Sequence, residues 1–167
     1  VTRYSPIRGR NLTRSEAFTE RFAMSGAGYR YLLWLAPRID RLVIPRTKGR
    51  WSSVGKDRAG LVTMTGAKSG EERTQPLSCI EDTDGTLLLI GSNYGRPHHP
   101  AWTANLRANP ECSVTYGGET ANYTARELEG EERATAWERA VDWYGGYALY
   151  EEKCRPRVIR IFRLART

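Results

Sequence analysis

Apolar and polar positions change rhythm about a third of the way along the chain. Over the first 50 residues apolar side chains recur at helical spacing among many arginines, with no strand-like alternation. A short helix is expected from near Thr13, which can cap it with Glu16 three residues on, to near Gly26 and Gly28. A second is expected over residues 29–44, kinked at Pro37, with Leu32, Leu35, Ile39, Leu42 and Val43 as its apolar set. Residues 1–55 thus read as an N-terminal helical appendage.

From Leu61 the pattern becomes short runs of Val, Ile, Leu and Thr punctuated by glycine turns, the mark of antiparallel β structure. Six strands are expected, over residues 61–65, 73–80, 86–91, 112–116, 120–127 and 158–164. Asp82-Thr83-Asp84-Gly85 and Gly117-Gly118 join neighbours as hairpins. Two helices interrupt them. One opens at Pro100 and stops at Asn109-Pro110. The other opens near Glu131, packs Ala134, Trp137, Val141 and Tyr144 on the body, and breaks at Gly145-Gly146. The fold class is α+β, and 167 residues form one domain.

A content of 40% hydrophobic and 27% charged residues is that of a folded, soluble chain. The formal net charge of +7 asks for a polyanionic partner, whether nucleic acid, an anionic membrane face or a phosphorylated cofactor. Nucleic acid is disfavoured, since no RNP, KH or zinc-finger pattern occurs. Arg30, Arg38, Arg41, Arg46, Lys48 and Arg50 cluster in and just after the second helix instead. That segment reads first as a packed helix with solvated arginines, and second as a peripheral contact with anionic lipid. Cys79, Cys112 and Cys154 lie far apart without a CxxC pair, as reduced thiols of a cytoplasmic protein do, and no metal site is expected. The longest apolar run, over residues 31–37, is too short to span a bilayer.

Three segments could carry chemistry. In Thr65-Gly66-Ala67-Lys68-Ser69-Gly70-Glu71-Glu72-Arg73-Thr74-Gln75-Pro76, glycines let backbone N–H groups approach an anion that Lys68 and Arg73 would neutralise. Lys-Ser precedes the glycine and strand follows, so this is no nucleotide-binding P-loop; alone, it reads first as a charged turn. The second runs from Gly91-Ser92-Asn93-Tyr94-Gly95 through His98 and His99 into Ala101-Trp102-Thr103-Ala104-Asn105. A helix N-terminus there offers an anion or carbonyl site, with Trp102 as a wall and Asn105 as an amide. The third is Tyr144, Tyr147 and Tyr150, readable as core aromatics or as a lid made mobile by the adjacent glycines.

In this order, the segments TGAKSGEERTQPL and SNYGRPHHPAWTANLRANP resemble the deazaflavin-dependent nitroreductase family over residues 61–164. The resemblance implies a split β-barrel and coenzyme F420 as hydride carrier, with a quinone, nitroaromatic or conjugated carbonyl as hydrophobic electron acceptor. It assigns Ala67, Lys68, Ser69, Arg73 and Thr74 to the cofactor tail, with Gln75, Pro76, Leu77 and Ser78 continuing the wall. Ile90, Gly91, Ser92 and Asn93 should run beside the deazaflavin ring, and Ala101, Trp102, Thr103, Ala104 and Asn105 should close the phosphate end. Tyr147, flanked by Tyr144 and Tyr150, matches the family's active-site tyrosine, where a phenol would supply a proton. The chain departs from relatives at Asn93, at Arg96-Pro97-His98-His99, at Gln75 and at Ser78. An FMN-binding split-barrel oxidoreductase and a non-enzymatic lipid- or fatty-acid-binding barrel stay as alternatives.

Overall fold

Leu87 and Leu89 face one apolar core and Leu88 and Ile90 the other, which is why this strand is a continuous apolar run. The computed structural model describes residues 18, 21–22, 25–53, 55–56, 59–82 and 85–167. Helices α1 (Gly26–Arg30) and α2 (Ala36–Thr47) are joined by a π-helical segment, Tyr31–Leu35. A small hairpin, β1 (Trp51–Ser52) and β2 (Gly55–Lys56), follows. Then come β3 (Ala59–Thr65), β4 (Glu72–Ser78), β5 (Ile80–Glu81), β6 (Leu87–Ile90), α3 (Ala101–Ala108), β7 (Glu111–Tyr116), β8 (Glu119–Glu127), α4 (Gly130–Trp143), α5 (Gly146–Cys154) and β9 (Ile161–Arg166).

Seven strands form one antiparallel sheet in the order β4-β3-β7-β8-β9-β6-β5. It curls until β4 and β6, far apart in that order, come into contact. The single strand expected over 73–80 is two, because the chain leaves one edge of the sheet as β4 and re-enters at the other as β5. Buried Cys79 sits at that corner and spans the seam. This is the split barrel that the resemblance implies.

Inside the curl, Val62, Met64, Cys112, Val114, Ala125, Phe162 and Leu164 pack with Trp102 and Leu106 of α3. Outside it, Ile80, Leu88, Ile90 and Ile161 are covered by Ala136 and Ala140 of α4 and by Tyr147, Tyr150 and Cys154 of α5. Phe162 lies at the centre of the first core, 1% exposed, and its truncation to Ala would cost about 3–5 kcal/mol.

The N-terminal segment differs most from expectation. The helix start at Thr13 lies outside the described residues. Around Gly26, where an end was expected, a helix begins instead, because the Ser25 hydroxyl accepts the Gly28 N–H at 3.1 Å. Pro37 falls in the first turn of α2, where a missing N–H costs nothing, and the irregularity appears just before it as the π segment. The helix passes Ile44 to reach Thr47 and ends on Lys48 and Gly49, both at positive φ.

Its inward residues are Ala36, Asp40 and Ile44, whereas Leu35 and Leu42 of the expected apolar set are exposed. Asp40 turns in because its carboxylate accepts the Ser53 N–H at 2.5 Å, tying α2 to the β1–β2 hairpin at the end of the expected appendage. The last strand starts at Ile161 rather than at residue 158. Beyond Gly145 the chain forms helix α5, whose tyrosines are buried, where a mobile segment was one of the expectations.

Candidate active site

The turn between β3 and β4 closes on itself and docks on a distant helix. Gly66 donates to the Glu71 carbonyl at 2.8 Å and Gly70 to the Gly66 carbonyl at 2.9 Å. A Cβ on Gly66 would lie 2.7 Å from the Ser69 hydroxyl and 3.2 Å from the Glu71 carbonyl, so the turn is tight at this glycine. Across the turn, Ala67 donates its N–H to Asn105 Oδ1 at 3.0 Å, and Asn109 Nδ2 donates to the Thr65 carbonyl at 3.4 Å. Two motifs some forty residues apart thereby meet. Lys68, Ser69, Arg73 and Thr74 are exposed around the turn, with Arg73 bonded to exposed Glu71 at 2.6 Å.

Of residues 101–105 at the start of α3, the small Ala101 and Ala104 and the amide of Asn105 face outward. Trp102 does not offer a wall: it is buried, 5.5 Å from the Phe162 ring. Thr103 is also buried, its hydroxyl donating to the Pro100 carbonyl at 2.9 Å and accepting from Arg160 at 3.2 Å. Pro100 is the N-cap rather than the first helical residue.

Gly91 is squeezed between this helix and β9. Its N–H reaches the Arg160 carbonyl at 2.8 Å, and a Cβ would lie 3.0 Å from Thr103 Cγ2. Asn93, Tyr94 and Gly95 follow with φ of 48°, 55° and 75°, three left-handed residues in a row. Such conformations persist only where surroundings hold them. Asn93 donates its amide to the His98 carbonyl at 2.9 Å. Arg157 donates to the carbonyls of Gly91 at 3.1 Å, Ser92 at 2.7 Å and Arg96 at 3.0 Å. Behind the loop, His99 is held below the ordinary histidine pKa by burial and then by Arg160, Arg157 and Arg107.

The three expected tyrosines do share one side. Tyr144 and Tyr147 meet edge to face at 5.3 Å, Tyr147 and Tyr150 at 6.4 Å, and the hydroxyls of Tyr144 and Tyr150 are 3.4 Å apart. A Cβ on Gly146 would fall on the Tyr144 ring, so this packing requires the glycine. Tyr147 and Tyr150 are buried and Tyr144 is half-buried. Tyr147 is hydrogen-bonded to Ser78, the last residue of β4. Burial pushes the Tyr147 phenol well up despite that bond, and burial followed by Tyr144 does the same for Tyr150. Both phenols therefore stay protonated at neutral pH.

Tyr94 was not among the expected site residues, yet it belongs to the cluster. Its ring lies 6.1 Å from Tyr150 and 6.3 Å from Tyr29, and its hydroxyl donates to the Leu32 carbonyl at 3.1 Å. Burial, then Tyr150, pushes its pKa up to about 12. An aromatic inside a Ser-Asn-Tyr-Gly loop already singled out was the available signal. Arg157, Arg160 and Asn109 carried none, because their partners are backbone groups or a side chain far away in sequence.

The parts lie along β4. Lys68 and Arg73 mark one end, Ser78 with Tyr147 marks the other, and the five extended steps from Arg73 to Ser78 span roughly 17 Å. Gln75, Pro76, Leu77 and Ser78 are half-buried along that length. Arg73, Gln75 and Leu77 lie on the face of Met64 and Val62 and Ser78 on the other, so the two ends are joined along the edge of β4, which suits an elongated ligand anionic at one end and aromatic at the other.

A sequence model of the family described as F420H(2)-dependent quinone reductase matches residues 40–164. An F420H(2)-dependent quinone reductase of Mycobacterium tuberculosis (strain ATCC 25618 / H37Rv) is 35% identical over 69 residues, which are 41% of this chain and 46% of that protein. The aligned part is thus about half the length of that relative. The solved structure of an F420-H2 dependent reductase, FDR-A, is similar with a TM-score of 0.59 and 43% identity, covering 65% of this chain and 94% of that one. A heme storage protein of Vibrio cholerae shares the fold alone, at 13% identity and a TM-score of 0.51 over 66% of this chain and 82% of that one.

Proposed function

The chain belongs to the F420H(2)-dependent quinone reductase family, and on that footing we propose that it is an F420-dependent oxidoreductase that reduces a quinone. The observation that carries the reading is the strip along β4, cationic and glycine-turned at Lys68 and Arg73, phenolic at Ser78 and Tyr147. Coenzyme F420 is an elongated molecule with a phosphodiester and glutamate carboxylates at one end and a deazaflavin at the other. Its donor requirements fit: Lys68 makes no ion pair among the described residues, and Arg73 is held only by exposed Glu71.

In this reading Ala67, Lys68, Ser69, Arg73 and Thr74 hold the tail, with the outward face of residues 101–105 beside them. Gln75, Pro76, Leu77 and Ser78 flank the length of the cofactor, and the backbone of Ile90, Gly91, Ser92 and Asn93 meets the ring. When bound and reduced, the cofactor supplies a hydride. A hydride and one proton together convert a quinone to a hydroquinone. Tyr144, half-buried, donates that proton from its hydroxyl, with Tyr150 hydrogen-bonded behind it. Tyr147, clasped by Ser78, keeps the ring stack in register. Nitroaromatics and conjugated carbonyls present the same electrophilic oxygen or carbon and are expected secondary acceptors.

A fluorescence titration comparing F420 with FMN tests the cofactor, and stopped-flow reduction of a naphthoquinone tests the acceptor. Tight F420 binding with weak FMN binding supports the reading; the reverse, or bound lipid with no F420 binding, overturns it.

A peripheral encounter with anionic lipid is the second part of the proposal. Between Ser25 and Arg50 the sole acid, Asp40, is buried, while Trp34, Leu35, Leu42, Arg38, Arg41 and Arg46 are exposed. Apolar and cationic side chains without an exposed acid suit the face of an anionic bilayer. Among the described residues no helix is long and apolar enough to cross a membrane. Co-sedimentation with phosphatidylglycerol vesicles, absent with phosphatidylcholine vesicles, is the expected outcome.

A further inference from the structure

Arg157 is the one guanidinium described here that reaches three backbone carbonyls of a single loop. It stands beyond α5, and its backbone is tied to the end of that helix twice. Its N–H donates to the Cys154 carbonyl at 2.9 Å, and its own carbonyl accepts the Cys154 thiol at 3.3 Å. From this anchored position the side chain crosses to Gly91, Ser92 and Arg96 at 2.7–3.1 Å. The planar fork of Nε, Nη1 and Nη2 matches three acceptors; an ammonium has neither the reach nor the plane.

The consequence lies in the peptide planes. In a trans peptide the C=O of one residue and the N–H of the next point in opposite directions. The Ser92 carbonyl, which accepts from Arg157 at 2.7 Å and from the Gly95 N–H at 3.0 Å, therefore fixes the Asn93 N–H to point away from Arg157. Asn93 is also the first of the three left-handed residues, a stretch with several ways to relax if released. On the far side, a Cβ at Gly95 would lie 3.1 Å from Tyr150 Cα, so the loop is seated directly on the tyrosine helix.

We propose that Arg157 is a positioning residue for the deazaflavin ring: by fixing the Gly91 and Ser92 peptide planes it orients the Asn93 N–H and sets the loop's distance from the tyrosines of α5. This rests on the reading of residues 90–93 as the ring-side wall. It makes the ring end of the site depend on Arg157 and the tail end on Lys68 and Arg73.

The test titrates two ligands, intact F420 and a deazaflavin riboside lacking the phosphodiester and glutamates, against wild type, Arg157→Lys and Arg157→Gly. Arg157→Lys is expected to bind both ligands about tenfold more weakly, by the same factor. In Arg157→Gly, millimolar guanidinium ion is expected to restore binding, as a merely destabilised fold would not allow. Amide exchange without ligand is expected to accelerate in residues 91–98 and not in β7 or β8. Wild-type affinity in Arg157→Lys for the tail-less ligand, or weakening confined to the intact cofactor, overturns the inference while leaving F420 binding standing. If the wild type binds neither ligand the proposed function falls instead, and unchanged loop exchange in Arg157→Lys would then overturn the positioning role by itself.

Discussion

The backbone N–H of Ala67 and the side-chain amide of Asn105 meet at 3.0 Å, joining the glycine turn after β3 to the outward face of α3. Asn109, at the end of that helix, adds a second tie by holding the Thr65 carbonyl. The two cations of the turn therefore take their position from an amide on another element. Asn105→Asp keeps the acceptor for Ala67 but adds a negative charge beside the expected tail. Thermal stability should change by less than about 0.5 kcal/mol, as for exposed substitutions generally, while F420 affinity falls about tenfold. Asn105→Leu should cost about 1 kcal/mol through the lost hydrogen bond. Differential scanning calorimetry alongside the fluorescence titration separates the two.

Lys68→Ala combined with Arg73→Ala should weaken F420 binding and flatten its dependence on salt, because screened attraction to exposed cations is what is removed. Melting should hardly move, since the Arg73–Glu71 pair is exposed on both sides and such pairs contribute little. A titration repeated at low and high ionic strength reads the outcome. Equal affinity in wild type and double variant would remove these residues from the site.

Tyr144→Phe deletes a hydroxyl 3.4 Å from that of Tyr150 and keeps the ring that packs over Gly146. Cofactor affinity should hold while kcat for quinone reduction drops about 10²-fold, the scale of a lost general acid. The wild-type rate should stay flat between pH 6 and 9 as far as these phenols govern it, since burial raises Tyr147 and Tyr150 and lifts Tyr94 to about 12. A break in that window of the pH–rate profile would come from a group other than Tyr94, Tyr147 and Tyr150.

His99 makes stability fall in acid. Burial and the three arginines depress its folded pKa below the ordinary 6.5, so the unfolded chain binds a proton more readily than the folded one. Its neutral form is no handicap above that value. As pH drops through the unfolded pKa and on towards the folded one, stability is lost. His99→Gln should lessen the loss of melting temperature between pH 7 and 5 relative to wild type. An identical slope in both would show that carboxylates alone govern acid unfolding.

Local spacing fixed several turns and element ends in advance. The turn around Gly66, the helix stop at Asn109-Pro110 and the hairpin at Gly117-Gly118 depend on backbone preferences of the residues themselves, which is why they were readable. The periodicity of α4 was readable too, although its most buried residues are Ala136 and Ala140, one turn-position away from the face expected.

What the sequence by itself determined was the set of antiparallel strands, the helices between them and the three motif segments, since alternation, glycine turns and caps act over a few residues. Only the tertiary structure decided the corner at Cys79, the burial of Trp102, the inward turn of Asp40 and the grip of Arg157 on the loop. Each of those depends on a partner far away in sequence, whose distance is set by how the sheet curls. A guanidinium bound to carbonyls leaves no mark in the pattern of side chains, because the atoms that it recognises are the same at every residue.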